Sequence, residues 1–154
     1  MPEEIVIYTD GAARGNPGPG GYGIVLMSGK HYKEISDGFR LTTNNRMELM
    51  SVCVALETLK NDGSKVVVYS DSRYVVDSVE KKWIQGWVQR DWKNVKNTDL
   101  WQRFLRTYSN HKVIFKWVRG HNGNPMNERC DELAVAASNG RNLQADEWYE
   151  KHNN

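Results

Sequence analysis

The chain has 154 residues, of which 39% are hydrophobic and 26% are charged, as expected for one globular domain with a proper core. Its first residues lack the basic flank and apolar core of a secretory signal, and no apolar run is long enough to span a bilayer. The two cysteines, Cys53 and Cys130, lie among apolar residues and outside any CxxC or Cys/His cluster. This pattern indicates reduced core thiols and favours a cytoplasmic protein.

The net charge of +2 conceals a strong asymmetry along the chain. Residues 81–119 carry ten Lys/Arg and two Asp/Glu, a local net charge of +8, whereas the remainder carries 11 basic and 17 acidic residues, a net charge of −6. Five of the six tryptophans lie in the same stretch, at positions 83, 87, 92, 101 and 117. A charged run is usually a solvated helix face, here over a Trp-rich core. Because basic and aromatic residues are interleaved here, we favour nucleic-acid binding instead.

The first predicted element is a buried β-strand over residues 5–8, an apolar and mostly β-branched run that leads to Asp10 and Gly11. The glycine- and proline-rich segment 15–21 follows, and we expect it to be a loop that forms neither helix nor strand. Glycines 18, 20 and 23 match a GxGxxG pattern, but they precede a predicted strand over residues 22–27 and not a helix, so a dinucleotide site is rejected. A hairpin at residues 28–30 then returns through a polar strand that ends near Arg40, which completes a three-stranded antiparallel meander.

The next predicted element is a helix that begins after the capping residues at positions 42–45. Apolar side chains recur at helical spacing on one face of it, at Leu49, Val52, Cys53, Leu56 and Leu59. Glu48 lies about one turn into this helix, where the positive end of the helix dipole favours an ionised carboxylate. Taken alone, Glu48 is therefore most simply explained by the dipole. Turn residues at positions 61–63 end the helix.

A strand over residues 66–69 repeats the layout of the first strand, because a β-branched run, an aromatic residue and a hydroxyl residue lead to Asp71. If the two strands are parallel neighbours, Asp10 and Asp71 leave the same sheet edge about 5 Å apart. Two carboxylates at that distance repel each other unless a cation lies between them. The two strands therefore predict a metal site.

The second half of the chain predicts further helices and one more strand. Ser72 is expected to cap a helix with a break near Gly86, and Thr98 or Asp99 to cap another. A fifth strand over residues 113–118 and a last helix over about 126–138 follow. The segment from residue 141 onward is polar, and we expect it to be loosely held.

Asp131 lies on this last helix and His121 lies in the loop before it. Each has a simpler explanation alone, as a solvent-facing or ion-paired aspartate and a surface histidine. Together with the three other acids, Asp131 completes a set of four hard oxygen donors without Cys or His, which suits Mg²⁺ or Mn²⁺ and not zinc. Acidic two-metal sites of this type drive in-line phosphodiester hydrolysis.

Several motifs stand in a characteristic order: YTDG at 8–11, GNPGPGGYG at 15–23, TTNNRMELM at 42–50, YSDS at 69–72, WVRGH at 117–121 and NERCDELA at 127–134. With these motifs the chain resembles type 1 ribonuclease H of bacteria, over roughly residues 4–138. The resemblance implies an α/β ribonuclease H-like fold, with a five-stranded mixed sheet in the order 3-2-1-4-5 flanked by helices. It implies one catalytic domain over residues 1–140, followed by a polar tail over 141–154.

The resemblance also implies the reaction and the residues that perform it. The reaction is hydrolysis of the RNA strand of an RNA–DNA hybrid, leaving a 3′-hydroxyl and a 5′-phosphate, with two Mg²⁺ ions (or Mn²⁺) present when substrate is bound. The metal-binding catalytic acids are Asp10, Glu48, Asp71 and Asp131, and His121 assists proton transfer or product release. The implied substrate contacts are Gly11, Asn16, Thr43, Asn44, Asn45 and, in a basic protrusion that grips the DNA strand, Lys81, Lys82, Trp83, Trp87, Lys93 and Lys96. The active unit is expected to be a monomer.

Two other functions are compatible with parts of this sequence. A non-catalytic hybrid-binding module would keep the fold and the basic surface, but retention of all four acids argues against it. A DNA-joining recombinase on the same fold would use a related acidic set, but residues 43–46 and the short chain fit such an enzyme poorly.

Overall fold

The computed structural model describes residues 4–120 and 123–152. This part of the chain contains five strands and six helices. The strands are β1 (Ile5–Ala13), β2 (Gly18–Ser28), β3 (His31–Thr42), β4 (Lys65–Ser70) and β5 (Lys112–Trp117). The helices are α1 (Asn44–Glu57), α2 (Arg73–Glu80), α3 (Trp83–Gln89), α4 (Thr98–Tyr108), α5 (Pro125–Ser138) and α6 (Glu147–His152).

The strands form one mixed sheet in the order β3-β2-β1-β4-β5. Strands β1, β2 and β3 are joined as an antiparallel meander, whereas β4 lies parallel to β1 and β5 lies parallel to β4. Parallel neighbours require a crossover, which α1 provides between β3 and β4 and helices α2 to α4 provide between β4 and β5. The predicted fold class and strand order are confirmed.

Helices cover both faces of the sheet. A side chain at Gly11 of β1 would meet the backbone of α1, whereas one at Gly23 of β2 would meet the backbone of α5. Gly23 is paired with Asp10, and neighbouring residues of a strand point to opposite faces, so α1 and α5 lie on opposite sides. Between sheet and helices the core includes Ile7, Ile24, Leu49, Val68, Trp101 and Phe104. Cys53 and Cys130 are buried and free, as predicted.

The structure corrects three local predictions. Residues 18–21 belong to β2 and not to a loop, because Gly20 and Gly21 pair with Ala13 and Ala12 at a point where Thr42 and α5 leave no room for a side chain. The break after α2 lies at Lys82, which adopts a left-handed conformation (φ 60°), while Gly86 is inside α3. The residue preceding α4 is Asn97, also left-handed (φ 58°), and neither Thr98 nor Asp99 is the cap.

Residues 143–152 are packed on the domain, so the expectation of a loosely held tail is wrong. The Gln144 amide donates to the Gly38 carbonyl (3.1 Å), and the Gln144 carbonyl accepts from the Arg40 amide (2.8 Å). Asp146 is only 3% exposed and receives hydrogen bonds from Arg46 at 2.7 and 3.0 Å. Local sequence could not reveal this, because the partner of Asp146 lies 100 residues earlier.

None of the helices in the described ranges has the length and apolar character needed to cross a membrane.

Candidate active site

Asp10 and Asp71 lie side by side because of the register between β1 and β4. The last paired residues of these strands are Thr9 and Ser70, and each is followed directly by its aspartate. Beyond this point β4 has ended, while β1 continues as the partner of β2. Since parallel strands carry equivalent positions to the same edge, the register alone places the two carboxylates together.

Glu48 reaches these aspartates because α1 begins beside the same edge. Thr43 is the N-cap of α1, and its hydroxyl accepts a hydrogen bond from the Arg46 amide at 3.2 Å. A Cβ atom at Gly11 would collide with the backbone of Met47 and Glu48, so only glycine lets the helix approach β1 this closely. The glycine after Asp10 therefore determines the position of Glu48.

The three carboxylates form a compact cluster. One oxygen each from Asp10, Glu48 and Asp71 lie within 4.8 Å of one another. Asp10 is 5% exposed and Glu48 is 9% exposed, and both line an open cavity of about 400 Å³. Asp131, on α5, lines the same cavity. All four predicted acids thus surround one space.

The electrostatics of this cluster favour a bound cation. The pKa of Asp10 is raised to about 8, chiefly by burial. The charges of Asp71 and Asp131 contribute to this rise, whereas the Glu48 contact and the Gly11 amide, which donates to Asp10 Oδ1 at 2.9 Å, oppose it. Burial, followed by the charges of Asp10 and Asp71, also raises the pKa of Glu48 well above its usual value.

Glu48 Oε2 is buried and accepts no hydrogen bond within the described residues. An orphaned carboxylate oxygen beside two further carboxylates is unfavourable, because their ionised oxygens only repel. A divalent cation would satisfy all three groups at once, and an all-oxygen donor set suits Mg²⁺ or Mn²⁺. The residues present therefore fit a divalent metal centre.

A cluster of amide and hydroxyl side chains borders the acidic cavity. The Asn44 side chain accepts from the Ala13 amide, and Asn16 Oδ1 accepts from the Asn44 amide at 3.0 Å. Asn44 and Asn45 line the acidic cavity and also a neighbouring cavity of about 570 Å³, to which Asn16, Thr43 and Lys96 contribute. The structure thus brings together Gly11, which lines the acidic cavity, and the four predicted amide and hydroxyl contacts.

The predicted basic protrusion is spread over the ends of α2 and α3 and the loop that follows. Lys81, Lys82, Lys93 and Lys96 are exposed, and Trp83 is 45% exposed with the Lys81 ammonium 5.8 Å from its ring centroid. Trp87, in contrast, is half-buried, and its ring packs edge-on against Trp101 at 5.5 Å. Trp87 therefore belongs partly to the core, and Lys96 is the protrusion residue that reaches the amide cluster. His121 lies outside the described residues.

Two features of the site have no counterpart in the sequence predictions. Arg73 and Tyr74 line the acidic cavity, and Trp148, Tyr149 and His152 of α6 line the cavity beside the amide cluster. The position of Arg73 directly after the cap Ser72 was a usable signal, because residues that follow a catalytic strand end tend to line the site. For α6 no local signal existed, since its docking depends on the distant Arg46.

Comparison with known proteins agrees with this geometry. Residues 2–139 match the family model described as RNase H. The chain is 53% identical to a ribonuclease H of Rippkaea orientalis, over 97% of this chain and 94% of that one. It is similar in structure to LC9-RNase H1, described as a type 1 RNase H with the type 2 active-site motif (TM-score 0.83, 31% identity, 97% of this chain and 82% of that one). It is also similar to LC11-RNase H1 solved in complex with an RNA/DNA hybrid (TM-score 0.60, 30% identity, 86% and 95%).

Proposed function

The chain belongs to the ribonuclease H family, and from this premise we propose that it is an endonuclease that hydrolyses the RNA strand of RNA–DNA hybrids. The observation that carries the proposal is the cluster of Asp10, Glu48 and Asp71, whose oxygens lie within 4.8 Å and include the orphaned Glu48 Oε2. Such a cluster is costly to a fold unless it holds cations.

Asp10, Glu48, Asp71 and Asp131 would hold two divalent ions, Mg²⁺ or Mn²⁺, when the hybrid is bound. When bound, these ions supply activation of the attacking water and stabilisation of the leaving oxygen. The overall reaction joins a water oxygen to phosphorus and breaks the bond from phosphorus to the 3′ oxygen. The 3′ oxygen takes up a proton, so the ends are a 3′-hydroxyl and a 5′-phosphate.

The remaining residues bind and orient the substrate. Asn44 and Asn45 lie between the acidic cavity and the Lys96 cavity, and their amides both donate and accept, as recognition of a 2′-hydroxyl requires. Asn16 and Thr43 continue this surface toward the flanking DNA phosphates. Lys81, Lys82, Trp83, Trp87, Lys93 and Lys96 of the protrusion add affinity for the DNA backbone, and His121 assists proton transfer or product release, as the family resemblance implies.

We further propose that the protein acts as a monomer in the cytoplasm, with residues 1–140 as the catalytic domain. Gln144 and Asp146, beyond this range, form hydrogen bonds with residues of the domain.

The proposal is tested by offering labelled RNA–DNA hybrid, duplex DNA and duplex RNA to the pure protein with Mg²⁺. We expect cleavage of the hybrid alone, in its RNA strand. Asp10→Asn should lower kcat about a hundredfold or more, because the ions contribute several kcal/mol of transition-state stabilisation. The matched control Asp62→Asn, at an exposed turn residue, should leave kcat unchanged. Equal hydrolysis by Asp10→Asn and the unmodified chain would refute the catalytic assignment, and hybrid binding without cleavage would favour a binding module.

A further inference from the structure

Arg73 presents its guanidinium at the rim of the acidic cavity. It is the first residue of α2, it is exposed, and it lines the same cavity as Asp10, Glu48 and Asp71. Its Cζ lies 3.8 Å from the centroid of the Trp117 ring, which is the closest cation–π contact described in the molecule. Guanidinium groups stack well on aromatic faces. Their N–H donors lie in the plane of the guanidinium group and point outward from it, so stacking leaves them available.

Trp117 contacts both Arg73 and the backbone of Asp71. It is the last residue of β5, it pairs with Ser70 of β4, and its indole N–H donates to the Asp71 carbonyl at 3.1 Å. The indole is 38% exposed, so a large apolar ring is kept at the surface directly beside a predicted metal ligand. Trp117 therefore determines the position of Arg73 relative to Asp71.

Arg73 differs from the arginines whose guanidinium donors already have protein acceptors. Arg40, Arg46, Arg103 and Arg129 direct their donors to carboxylates, and Arg14 donates to the Ser138 carbonyl at 3.2 Å. Within the described residues, Arg73 forms no ion pair and no side-chain hydrogen bond, although several carboxylates surround the same cavity. Its donors are oriented by stacking alone and remain available to a ligand.

We propose that Arg73, held by Trp117, binds a phosphate of the RNA strand adjacent to the scissile one. This inference rests on the proposed function, because the scissile phosphate must lie at the acids for its neighbour to lie at the rim. A guanidinium matches two phosphate oxygens with parallel N–H donors, and a fork that is already oriented loses little entropy on binding. Arg73 is thus a substrate-binding residue and Trp117 is a positioning residue.

The experiment compares Arg73→Gln and Arg73→Lys with the matched control Arg141→Gln, which removes the same charge at an exposed position away from the acidic cavity. The measurements are kcat and KM for hybrid cleavage with Mg²⁺, and hybrid affinity in EDTA at several salt concentrations.

Arg73→Gln should raise KM about tenfold, since it removes hydrogen bonds to a charged group, and leave kcat nearly unchanged. Its plot of log affinity against log salt should be shallower by about 0.7 to 0.9 for one lost phosphate contact. Arg73→Lys should recover the salt dependence but not the KM, because lysine lacks the fork.

A double-mutant cycle separates the role of Trp117 from a general effect on folding. Trp117→Leu should raise KM, and Arg73→Gln combined with Trp117→Leu should be no worse than Arg73→Gln alone, because both changes remove one contact. Trp117→Phe keeps an aromatic face and should restore most of the affinity. Additive effects in this cycle would show that Trp117 does not act through Arg73.

Other results would overturn the inference. An unchanged KM and salt dependence in Arg73→Gln would refute phosphate binding, and tighter Mg²⁺ binding by calorimetry with unchanged KM would show that Arg73 only balances the charge of the acids. A lowered kcat with unchanged KM would also contradict it. If the unmodified chain fails to cleave the hybrid, the proposed function fails, while hybrid affinity in EDTA still decides whether Arg73 contacts phosphate.

Discussion

At the scale of single residues, the buried carboxylates are the feature on which the rest of the site depends. Glu48 Oε2 accepts no hydrogen bond within the described residues, and Asp10 has a pKa raised to about 8, chiefly by burial. A carboxyl group whose pKa is higher in the folded than in the unfolded chain contributes its full stabilisation only at a pH below its pKa in the unfolded chain. That contribution is lost as the pH rises through the pKa of the group in the folded chain. Without a bound cation, the cluster therefore destabilises the fold at neutral and alkaline pH.

The raised pKa of Asp10 predicts how the stability of the protein depends on pH. In EDTA, the free energy of unfolding should fall as the pH rises from about 4 to about 8, the interval between the ordinary and the raised pKa of Asp10. Asp10→Asn should reduce this fall and make the variant more stable than the unmodified chain at the upper end of the interval. Saturating Mg²⁺ should restore the unmodified chain, since it binds the ionised acids. Denaturant unfolding across this pH range makes the measurement.

Asp62→Asn is the control for this series, because it removes a carboxyl group from an exposed turn. It should leave the pH profile unchanged. If Asp10→Asn keeps the full fall in stability, the raised pKa is not the cause of it.

Single residues also show what sequence could and could not predict. The proximity of Asp10 and Asp71 followed from two similar strands, because parallel register fixes equivalent positions. The role of Gly11, which allows α1 to approach β1, could not be predicted from the sequence. The stacking of Arg73 could not be predicted either, because its partner Trp117 lies 44 positions further along the chain.

At the scale of elements, a buried arginine connects three segments that are distant in sequence. Arg46 of α1 is 1% exposed and donates to Asp99 of α4 at 2.7 and 2.9 Å and to Asp146 before α6 at 2.7 and 3.0 Å. Thr42 Oγ1 also donates to Asp146 at 2.7 Å. Because Arg46 lies two residues before Glu48, the C-terminal segment supports the helix that carries this predicted metal ligand.

Asp146→Asn should therefore lower the free energy of unfolding by about 2–3 kcal/mol, because it removes one partner of a buried, hydrogen-bonded charge. Glu150→Gln breaks the exposed pair with Arg40 and should have a much smaller effect, because water screens that pair. Denaturant unfolding of both variants makes the comparison. Equal losses in the two variants would contradict a special role of the buried network.

The junction between α2 and α3 allows binding to be separated from folding. Lys82 has a left-handed conformation (φ 60°) and is exposed. A glycine at this position would relieve backbone strain in the folded chain, but it would also increase the conformational entropy of the unfolded chain. Lys82→Gly should change the free energy of unfolding by less than about 1 kcal/mol, because these two effects oppose each other. It should raise KM for the hybrid several-fold with little change in kcat, because it removes a phosphate-binding charge.

Lys82→Gln serves as the comparison, since it removes the same charge and keeps the strain. The two variants should have the same KM, and Trp83→Ala should raise KM in the same direction. A lowered kcat with unchanged KM would argue against a gripping role for this junction.

The elements that sequence predicted well are those with a complete local pattern. Strands β1 and β4 and helices α1, α4 and α5 have apolar periodicity or β-branched runs of their own, and the structure contains each of them. The start of β2 is not predictable from local sequence, because its glycines are required by the packing of α5 and not by a turn. The break at Lys82 is not predictable either, because a left-handed lysine has no sequence signature, and the docking of α6 depends on the distant Arg46.

At the scale of the whole molecule, the acidic cavity adjoins the cavity that Lys96, from the basic stretch 81–119, helps to line. The Lys96 cavity shares Asn44 and Asn45 with the acidic cavity, so a bound strand can pass from one to the other. Lys96, one of the ten basic residues of the 81–119 stretch, therefore lies beside the acidic cavity, where its positive charge is expected to attract an anionic nucleic acid.

This arrangement predicts different contributions from two lysines of the same loop. Lys96 lines the cavity beside the amide cluster, whereas Lys93 does not. Lys96→Gln should make the slope of log affinity against log salt less negative by about 0.7 to 0.9, as for one lost phosphate contact, and Lys93→Gln should change it less. Fluorescence anisotropy with labelled hybrid makes the measurement. A larger effect of Lys93 would mean that the strand does not follow the cavity.

The proposed function requires that Asp10, Glu48, Asp71 and Asp131 hold divalent ions at the phosphate that is cleaved. The decisive measurement is a crystal structure of the protein with Mg²⁺ and a hybrid whose RNA strand resists cleavage. We expect two ions among these four carboxylates, both in contact with one phosphate of the RNA strand. Carboxylates that bind only basic side chains, or ions bound with the DNA strand at the acids, would contradict it.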